Sequence, residues 1–377
     1  MSTSAEPEQT ARLAGLRYVT DATAGITRRL VGRGFSYRDP KGVRIDDEQV
    51  IARIKGLAVP PAWEDVWICP LPNGHIQATG TDAAGRRQYR YHDAWRLHRD
   101  REKHDRMLEF AAVLPAARER MLADLARPTP DKLRVLGGAA RLLDLGFFRI
   151  GSEEYAETNG SYGLATMRRD HVTCVRGVLT FDYIAKSGKH REQSVADPDL
   201  CRLVRLLKRR RGGGDELLAY RDETGEWVDV RSGDINAYLR DITGGEFTAK
   251  DFRTWHATVL CAVGLAVSAS APTSESARKR AVARAVAEVA HYLGNTPAVC
   301  RASYIDPRVI DLYNDGVTIQ SKLGELGAGA AFGELSTQGA IEQAVYRLLR
   351  EPAAGRRTPS STSSSSSSSS RRRSLAA

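Results

Sequence analysis

Cysteine is scarce in this chain, metal and nucleotide signatures are missing, and no stretch is apolar for long. Five cysteines occur among 377 residues. Cys69, Cys174, Cys201, Cys261 and Cys300 are odd in number, far apart and never spaced Cys-x-x-Cys. That pattern suggests neither a disulfide framework nor a zinc site, and it fits a reducing, cytoplasmic compartment. A Gly-x-x-x-x-Gly-Lys-Ser/Thr loop, a His-Glu-x-x-His pair and a carboxylate cluster spaced for magnesium are all missing, so neither nucleotide nor metal is implied and no cofactor is expected. Met1 to Gln9 is polar and acidic, without the apolar core of a signal peptide. The most apolar run, residues 257–271, is interrupted by Thr258, Ser268 and Ser270. It is shorter than the roughly 20 residues that span a bilayer and reads as a buried helix.

Acidic residues are also outnumbered. Lys and Arg total 56 against 46 Asp and Glu, a net charge of +10. Half of that excess sits in the last 26 residues, which hold Arg356, Arg357, Arg371, Arg372 and Arg373 and no acid. The remainder is modestly basic, which favours a polyanionic partner without naming one. At 42% hydrophobic and 27% charged, the composition is that of a globular protein long enough for two domains.

Three regions separate along the chain. Residues 1–96 form a small β-rich N-terminal domain, with short extended stretches such as Val66-Trp67-Ile68-Cys69 and Ile76-Gln77-Ala78-Thr79 between Gly- and Pro-containing turns. Residues 97–322 are mostly helical, with apolar residues at three- and four-residue spacing over 105–125 and 130–145. Thr129 stands where it could cap the second of these helices. Inside that region, Val172 to Val175 and Val178 to Ile184 read as paired strands, and Lys186-Ser187-Gly188-Lys189 as a turn. Pro272-Thr273-Ser274 caps a helix over about residues 275–293 that Gly294 stops, which leaves Asn295 just past a helix end. Residues 323–377 turn Gly/Ala-rich, with one helix near residues 341–349, and dissolve into a serine run and Arg371-Arg372-Arg373, which cannot bury enough apolar surface to order. The fold class is therefore α+β.

Four elements carry chemistry. Arg149 lies in Gly146-Phe147-Phe148-Arg149-Ile150-Gly151, Lys186 at the hairpin tip, Arg253 in Lys250-Asp251-Phe252-Arg253-Thr254, and Tyr304 beyond Gly294-Asn295-Thr296-Pro297. Each has a plain structural reading. Arg149 could pair with Glu153 or Glu154, Arg253 with Asp251 or Asp241, Lys186 could be a solvated turn lysine, and tyrosines often fill half-buried positions. Together they suit attack on a phosphodiester, which needs fixed cations, a nucleophile and a proton donor for the leaving oxygen. Arginine forks hold two phosphate oxygens and stay charged. Neighbouring arginines would also favour the phenolate of Tyr304, whose free pKa near 10 makes the neutral phenol a weak nucleophile.

The ordered set resembles the type IB DNA topoisomerase family, in its compact poxvirus-like and bacterial branch, over about residues 16–323. That resemblance implies a helical catalytic domain with a β-hairpin, the core shared with tyrosine recombinases. It makes Tyr304 the nucleophile, Arg149, Arg253 and Asn295 the groups that stabilise the phosphorane, and Lys186 the acid, with Lys189 a competing candidate. A second match lies in Ile76-Gln77-Ala78-Thr79-Gly80 and Gly85-Arg86-Arg87-Gln88-Tyr89-Arg90-Tyr91. There the family's counterparts touch DNA, so Arg86, Arg87, Gln88, Tyr89 and Tyr91 are candidate DNA contacts, with Lys250 and Lys189. Physically, arginines hold backbone phosphate, glutamine reads a base edge and tyrosine contacts either.

Two positions depart from the family pattern. Asn295 stands where many relatives have histidine, so it can donate a hydrogen bond but not a proton. Ser187 replaces an aspartate common after the hairpin lysine. The expectation is a monomer clamping duplex DNA, associated with the nucleoid, that relaxes supercoils through a 3'-phosphotyrosyl intermediate without ATP or metal. A tyrosine recombinase is the alternative, but it would need histidine where Lys250 stands and a helical N-terminal domain. A non-enzymatic DNA-binding module would not need Tyr304 at all.

Overall fold

The computed structural model describes residues 7–269, 274–325 and 337–350. These residues separate into two compact units divided between Arg106 and Met107, inside a long helix. Pro272, Thr273 and the serine-arginine tail fall outside the described residues.

The first unit contains α1 (Pro7–Leu13), β1 (Ile26–Val31), β2 (Gly34–Arg38), α2 (Glu48–Gly56), β3 (Glu64–Ile68), β4 (Ile76–Thr81) and β5 (Arg87–Tyr91). Its strands form one sheet in the order β2-β1-β3-β4-β5, every neighbouring pair antiparallel. Ile26, Tyr37, Val66, Ile68 and Ala78 bury one face, and Ile54 of α2 packs into the same cluster. Asp47 starts α2 by accepting from the backbone N–H groups of Gln49 and Val50.

The second unit is mostly helical. After α3 (Asp93–Leu125), which crosses the division, come α4 (Lys132–Gly146), α5 (Glu153–Asn159), β6 (Val172–Val175), β7 (Val178–Ala185), β8 (Lys189–Ala196) and α6 (Pro198–Arg209). Then follow β9 (Ala219–Arg221), β10 (Trp227–Asp229), α7 (Ser232–Thr243), α8 (Ala249–Ser268), α9 (Glu275–Leu293), α10 (Pro297–Ser303), α11 (Pro307–Asn314) and α12 (Ala340–Arg350). The α+β class read from the sequence is therefore present. The cap of α4 is Asp131, which accepts from the Arg134 N–H, and not Thr129, whose hydroxyl bonds to the Asp131 carboxylate instead. The expected strand pair is a three-stranded sheet, β6-β7-β8, with β8 running on from the Lys186–Gly188 turn.

A second sequence expectation fails. Cys174 on β6 and Cys201 on α6 form a disulfide, with Cα atoms 5.9 Å apart, while Cys69, Cys261 and Cys300 are free and buried. A separation of 27 residues hid the pair. It forms because α6 packs across β6 and β7. Among the described residues no helix is long and apolar enough to cross a membrane.

Helix α8 is the pillar of this unit. Phe252, Trp255, Ala257, Val259, Cys261, Ala262 and Leu265 are all buried in the main core. Polar groups fix its position as well. Asp144 at the end of α4 is fully buried and accepts from Arg118 Nε and Nη2, each at 2.9 Å, and lies 3.3 Å from His256 of α8. Burial alone would push the Asp144 carboxyl up, but Arg118 and His256 hold it well below the usual carboxylate range. Glu342 of α12 closes the network, taking 2.6 Å hydrogen bonds from Arg118 Nη1 and Trp255 Nε1. Removing one member of such a buried set strands the others. Glu342→Ala is therefore expected to cost about 3 kcal/mol, read as a lower urea midpoint at unchanged slope; a loss below about 1 kcal/mol would contradict this account of α12.

Candidate active site

Arg149 follows the end of α4, where Phe147 adopts a left-handed conformation (φ 54°, ψ 24°). A β-carbon disfavours that conformation by about 1–2 kcal/mol, so the surrounding structure must hold it. What holds it is visible. The Phe147 carbonyl accepts from Arg253 Nη1, and the Arg149 carbonyl accepts from the Leu164 N–H at 2.8 Å. The backbones of Gly151 and Gly163 press together so closely that a β-carbon on Gly163 would sit 2.5 Å from the Gly151 Cα, and Gly151 has φ +80°. Glycine at both positions therefore sets the direction in which Arg149 leaves the chain.

Arg253 sits near the start of α8 and is 3% exposed. Besides the Phe147 carbonyl it donates to the Leu293 carbonyl at 2.8 Å, tying α8 to the last turn of α9. Burial, then the field of Arg149, pulls its pKa down to about 10, so it is still a cation at neutral pH. Its Nε is buried without an acceptor.

Asn295 lies just past Gly294, which ends α9 in the left-handed region. Its Oδ1 accepts from Arg149 Nη2, which also reaches the Gly294 carbonyl at 3.3 Å. Asn295 Nδ2 is buried and has no acceptor. Two buried donors without partners in one region call for an explanation, and an anionic oxygen would supply both acceptors.

Tyr304 is placed by its backbone. Thr296 caps α10, Tyr304 closes it with its N–H on the Cys300 carbonyl at 3.0 Å, and its own carbonyl accepts from Thr258 Oγ1 of α8 at 3.4 Å. The Arg253 guanidinium carbon lies 5.3 Å from the Tyr304 ring centre. Burial raises the phenol pKa, but the fields of Arg253 and Arg149 outweigh it and the net displacement is downward. More phenolate is then present at neutral pH than a free tyrosine would carry. Arg149, Asn295, Arg253 and Tyr304, read from three separate sequence elements, thus meet at one place.

The competing ion pairs do not form. Glu153 accepts from the N–H and hydroxyl of Ser232, and Asp251 from the N–H and hydroxyl of Thr248. Lys186 is exposed at the β7–β8 turn, with its Nζ 5.7 Å from the Tyr155 ring centre, and Lys189 is exposed where β8 begins. Neither lysine touches the Tyr304 cluster directly in the described residues. Lys250 is exposed one turn before Arg253, and its field adds to those acting on Tyr304.

Sequence reasoning missed Arg191 and Thr258. Arg191 leaves β8 and donates to the Tyr292 carbonyl and to Gln193 Oε1. Arg149, Arg191 and Arg253 repel one another and form no ion pair with any carboxylate of the described residues. Neither missed residue belongs to a motif, so spacing could not have singled them out.

In the first unit, alternation along the edge strand β5 puts Arg87, Tyr89 and Tyr91 on one face and Gln88 on the other. Tyr89 and Tyr91 are exposed and stacked, their ring centres 6.0 Å apart at 15°. Arg87 donates to Asp21 and to Thr79, both at 2.6 Å. Arg86 and Gln88 both bond to Asp82, whose carboxyl is drawn down to about 2, chiefly by Arg86.

A phenol beside guanidinium groups that pair with no carboxylate among the described residues is suited to covalent capture of a tetrahedral anion. The eukaryotic DNA topoisomerase I catalytic core matches residues 92–323, and the bacterial DNA topoisomerase IB N-terminal domain matches residues 34–82. The DNA topoisomerase 1B of Acanthamoeba polyphaga mimivirus is 33% identical over 297 residues, covering 77% of this chain and 88% of the viral protein. The chain belongs to the type IB DNA topoisomerase family, and it is an isomerase that acts on DNA.

Proposed function

We propose that this enzyme relaxes supercoiled duplex DNA by nicking one strand through Tyr304 and resealing it, with neither ATP nor metal. The observation that carries the reading is the pair Arg149 and Arg253 beside Tyr304, with Arg191 close to both arginines, three close cations without a carboxylate partner among the described residues. Such a cluster is costly unless an anion completes it. A backbone phosphate brings that charge and gains more in the pentacoordinate transition state, where the same donors bind it more strongly.

In this reading the Tyr304 oxygen attacks phosphorus, the P–O bond to the 5' carbon's oxygen breaks, and a 3'-phosphotyrosine and a 5'-hydroxyl result. The phenol loses its proton to solvent, because the arginine field lowers the cost of ionisation and no base lies beside it among the described residues. Arg149, Arg253 and Asn295 stabilise the phosphorane. Lys186, at the tip of the hairpin, reaches the leaving oxygen and protonates it. Rotation about the intact strand relieves torsion, and the 5'-hydroxyl then attacks the phosphotyrosine to restore the bond. Arg87, Tyr89 and Tyr91 grip the duplex from the first unit of a monomeric clamp. A nucleoid location follows from that substrate.

Negatively supercoiled plasmid lacking any recombination site, incubated with the enzyme in EDTA without ATP, yields a ladder of relaxed topoisomers. Loss of activity in EDTA, or a requirement for paired sites, contradicts the reading. The role of Lys186 has its own test, in a duplex whose bridging 5' oxygen is replaced by sulfur. A thiolate leaves without a proton, so Lys186→Ala should lose roughly 10²–10⁴-fold on the oxygen substrate and little on sulfur, whereas Arg149→Ala loses on both. Equal losses of Lys186→Ala on the two substrates would remove it as the acid.

A further inference from the structure

We propose that Arg191 is a positioning residue for this reaction, holding the Tyr292–Asn295 turn so that Asn295 and Arg149 face the scissile phosphate. The inference rests on the topoisomerase reading above and assigns a part of the same site. Arg191 stands on β8 opposite Tyr183 of β7, five residues beyond Lys186. Its Nη2 donates to the Tyr292 carbonyl at the end of α9, and its Nε donates to Gln193 Oε1 at 2.6 Å.

The guanidinium also covers Gly294. A β-carbon there would sit 2.6 Å from Arg191 Nη1, and Gly294 already needs φ +63°. On the other side of the same turn, Arg149 donates to the Gly294 carbonyl and to Asn295 Oδ1. Arg191 and Arg149, from different elements, therefore grip the Tyr292 and Gly294 carbonyls on either side of Leu293, whose own carbonyl accepts from Arg253. That turn presents Asn295 Nδ2, a buried donor with no acceptor.

Close guanidinium groups repel unless an anion lies among them. Arg191 has no carboxylate partner among the described residues, is half-buried, and lies within the field of Arg149. Its neighbours are the Tyr183 hydroxyl, which burial pushes up and so keeps neutral, and the two other catalytic-site guanidiniums. Like charges are tolerated there because the bound phosphate is their common counter-ion. Arg191 also links two parts of the mechanism mechanically: the hairpin that bears Lys186 is tied through β8 to the turn that bears Asn295. Displacing a donor by about 1 Å is enough to cost roughly 10²-fold in rate.

The test is single-turnover cleavage of a duplex oligonucleotide by the full chain, comparing wild type, Arg191→Ala, Asn295→Ala and the double variant, with binding measured in a Tyr304→Phe background. Arg191→Ala is expected to slow cleavage about 10²-fold and to leave duplex binding within about threefold. Arg191→Lys should recover part of the rate. In the double variant the losses should fall well short of multiplying, because Arg191 acts through Asn295. Should Arg191→Ala fail to fold, Arg191→Met fills the same space without a donor and enters the same comparison. Wild-type cleavage in these variants, or losses that multiply with those of Asn295→Ala, would overturn the inference. An inactive wild-type enzyme would instead sink the topoisomerase reading itself.

Discussion

Tyr304→Phe should bind duplex DNA as tightly as the parent and relax none of it. The substitution removes one oxygen from a half-buried ring whose backbone is fixed independently, by the Cys300 carbonyl and by Thr258. Stability should therefore change by no more than about 1 kcal/mol. The rate, by contrast, should fall on the order of 10⁶-fold, the scale seen when a covalent nucleophile is deleted. Gel-shift titration and plasmid relaxation on the same preparation separate the two effects. Residual relaxation above background would mean that another group, or water, attacks phosphorus.

Arg253→Ala should show two coupled losses. The guanidinium stabilises charge on the phosphorane, so cleavage is expected to fall by about 10²–10³-fold. It also holds down the phenol pKa, together with Arg149 and against the opposing effect of burial. Without it the Tyr304 pKa rises. The variant's cleavage rate should keep climbing at pH values where the wild type has already levelled off, because phenolate is the attacking form and its formation now needs a higher pH. A pH–rate profile between about pH 6 and pH 10 measures the displacement directly. Some stability will be lost as well, since the Phe147 and Leu293 carbonyls each lose a charged donor. Arg253→Lys controls for that, because it keeps charge in the pocket while losing the fork. A profile that does not move, with a rate loss below about tenfold, would remove Arg253 from the chemistry.

Much of this arrangement was legible in the sequence because it is carried by local signals. The helix stop at Gly294, the helix start at Pro272-Thr273-Ser274 and the turn at Lys186–Lys189 are written in a few residues each. The family resemblance then drew Arg149, Arg253, Asn295 and Tyr304 together, and added Lys186, which stands at the β7–β8 turn without touching the Tyr304 cluster. What stayed hidden depends on packing between distant segments. Arg191 is an ordinary strand residue until β8 is laid beside the end of α9. Thr258 looks like a polar interruption in an apolar run until its hydroxyl is found bridging the Thr254 and Tyr304 carbonyls. The Cys174–Cys201 disulfide is likewise a product of α6 crossing the sheet, and no spacing rule announces it. The plain readings of Arg149 and Arg253 as ion-paired residues were reasonable from sequence. They fail because Asp251 is engaged in a cap at Thr248 and Glu153 at the start of α7 by Ser232.

The most direct measurement is to stop the reaction with denaturant during cleavage of an end-labelled duplex and map the labelled peptide by mass spectrometry. The account predicts a DNA strand joined through its 3' phosphate to the oxygen of Tyr304, with the released strand carrying a free 5'-hydroxyl. A 5' linkage, an adduct on any other residue, or cleavage with no adduct at all would contradict it.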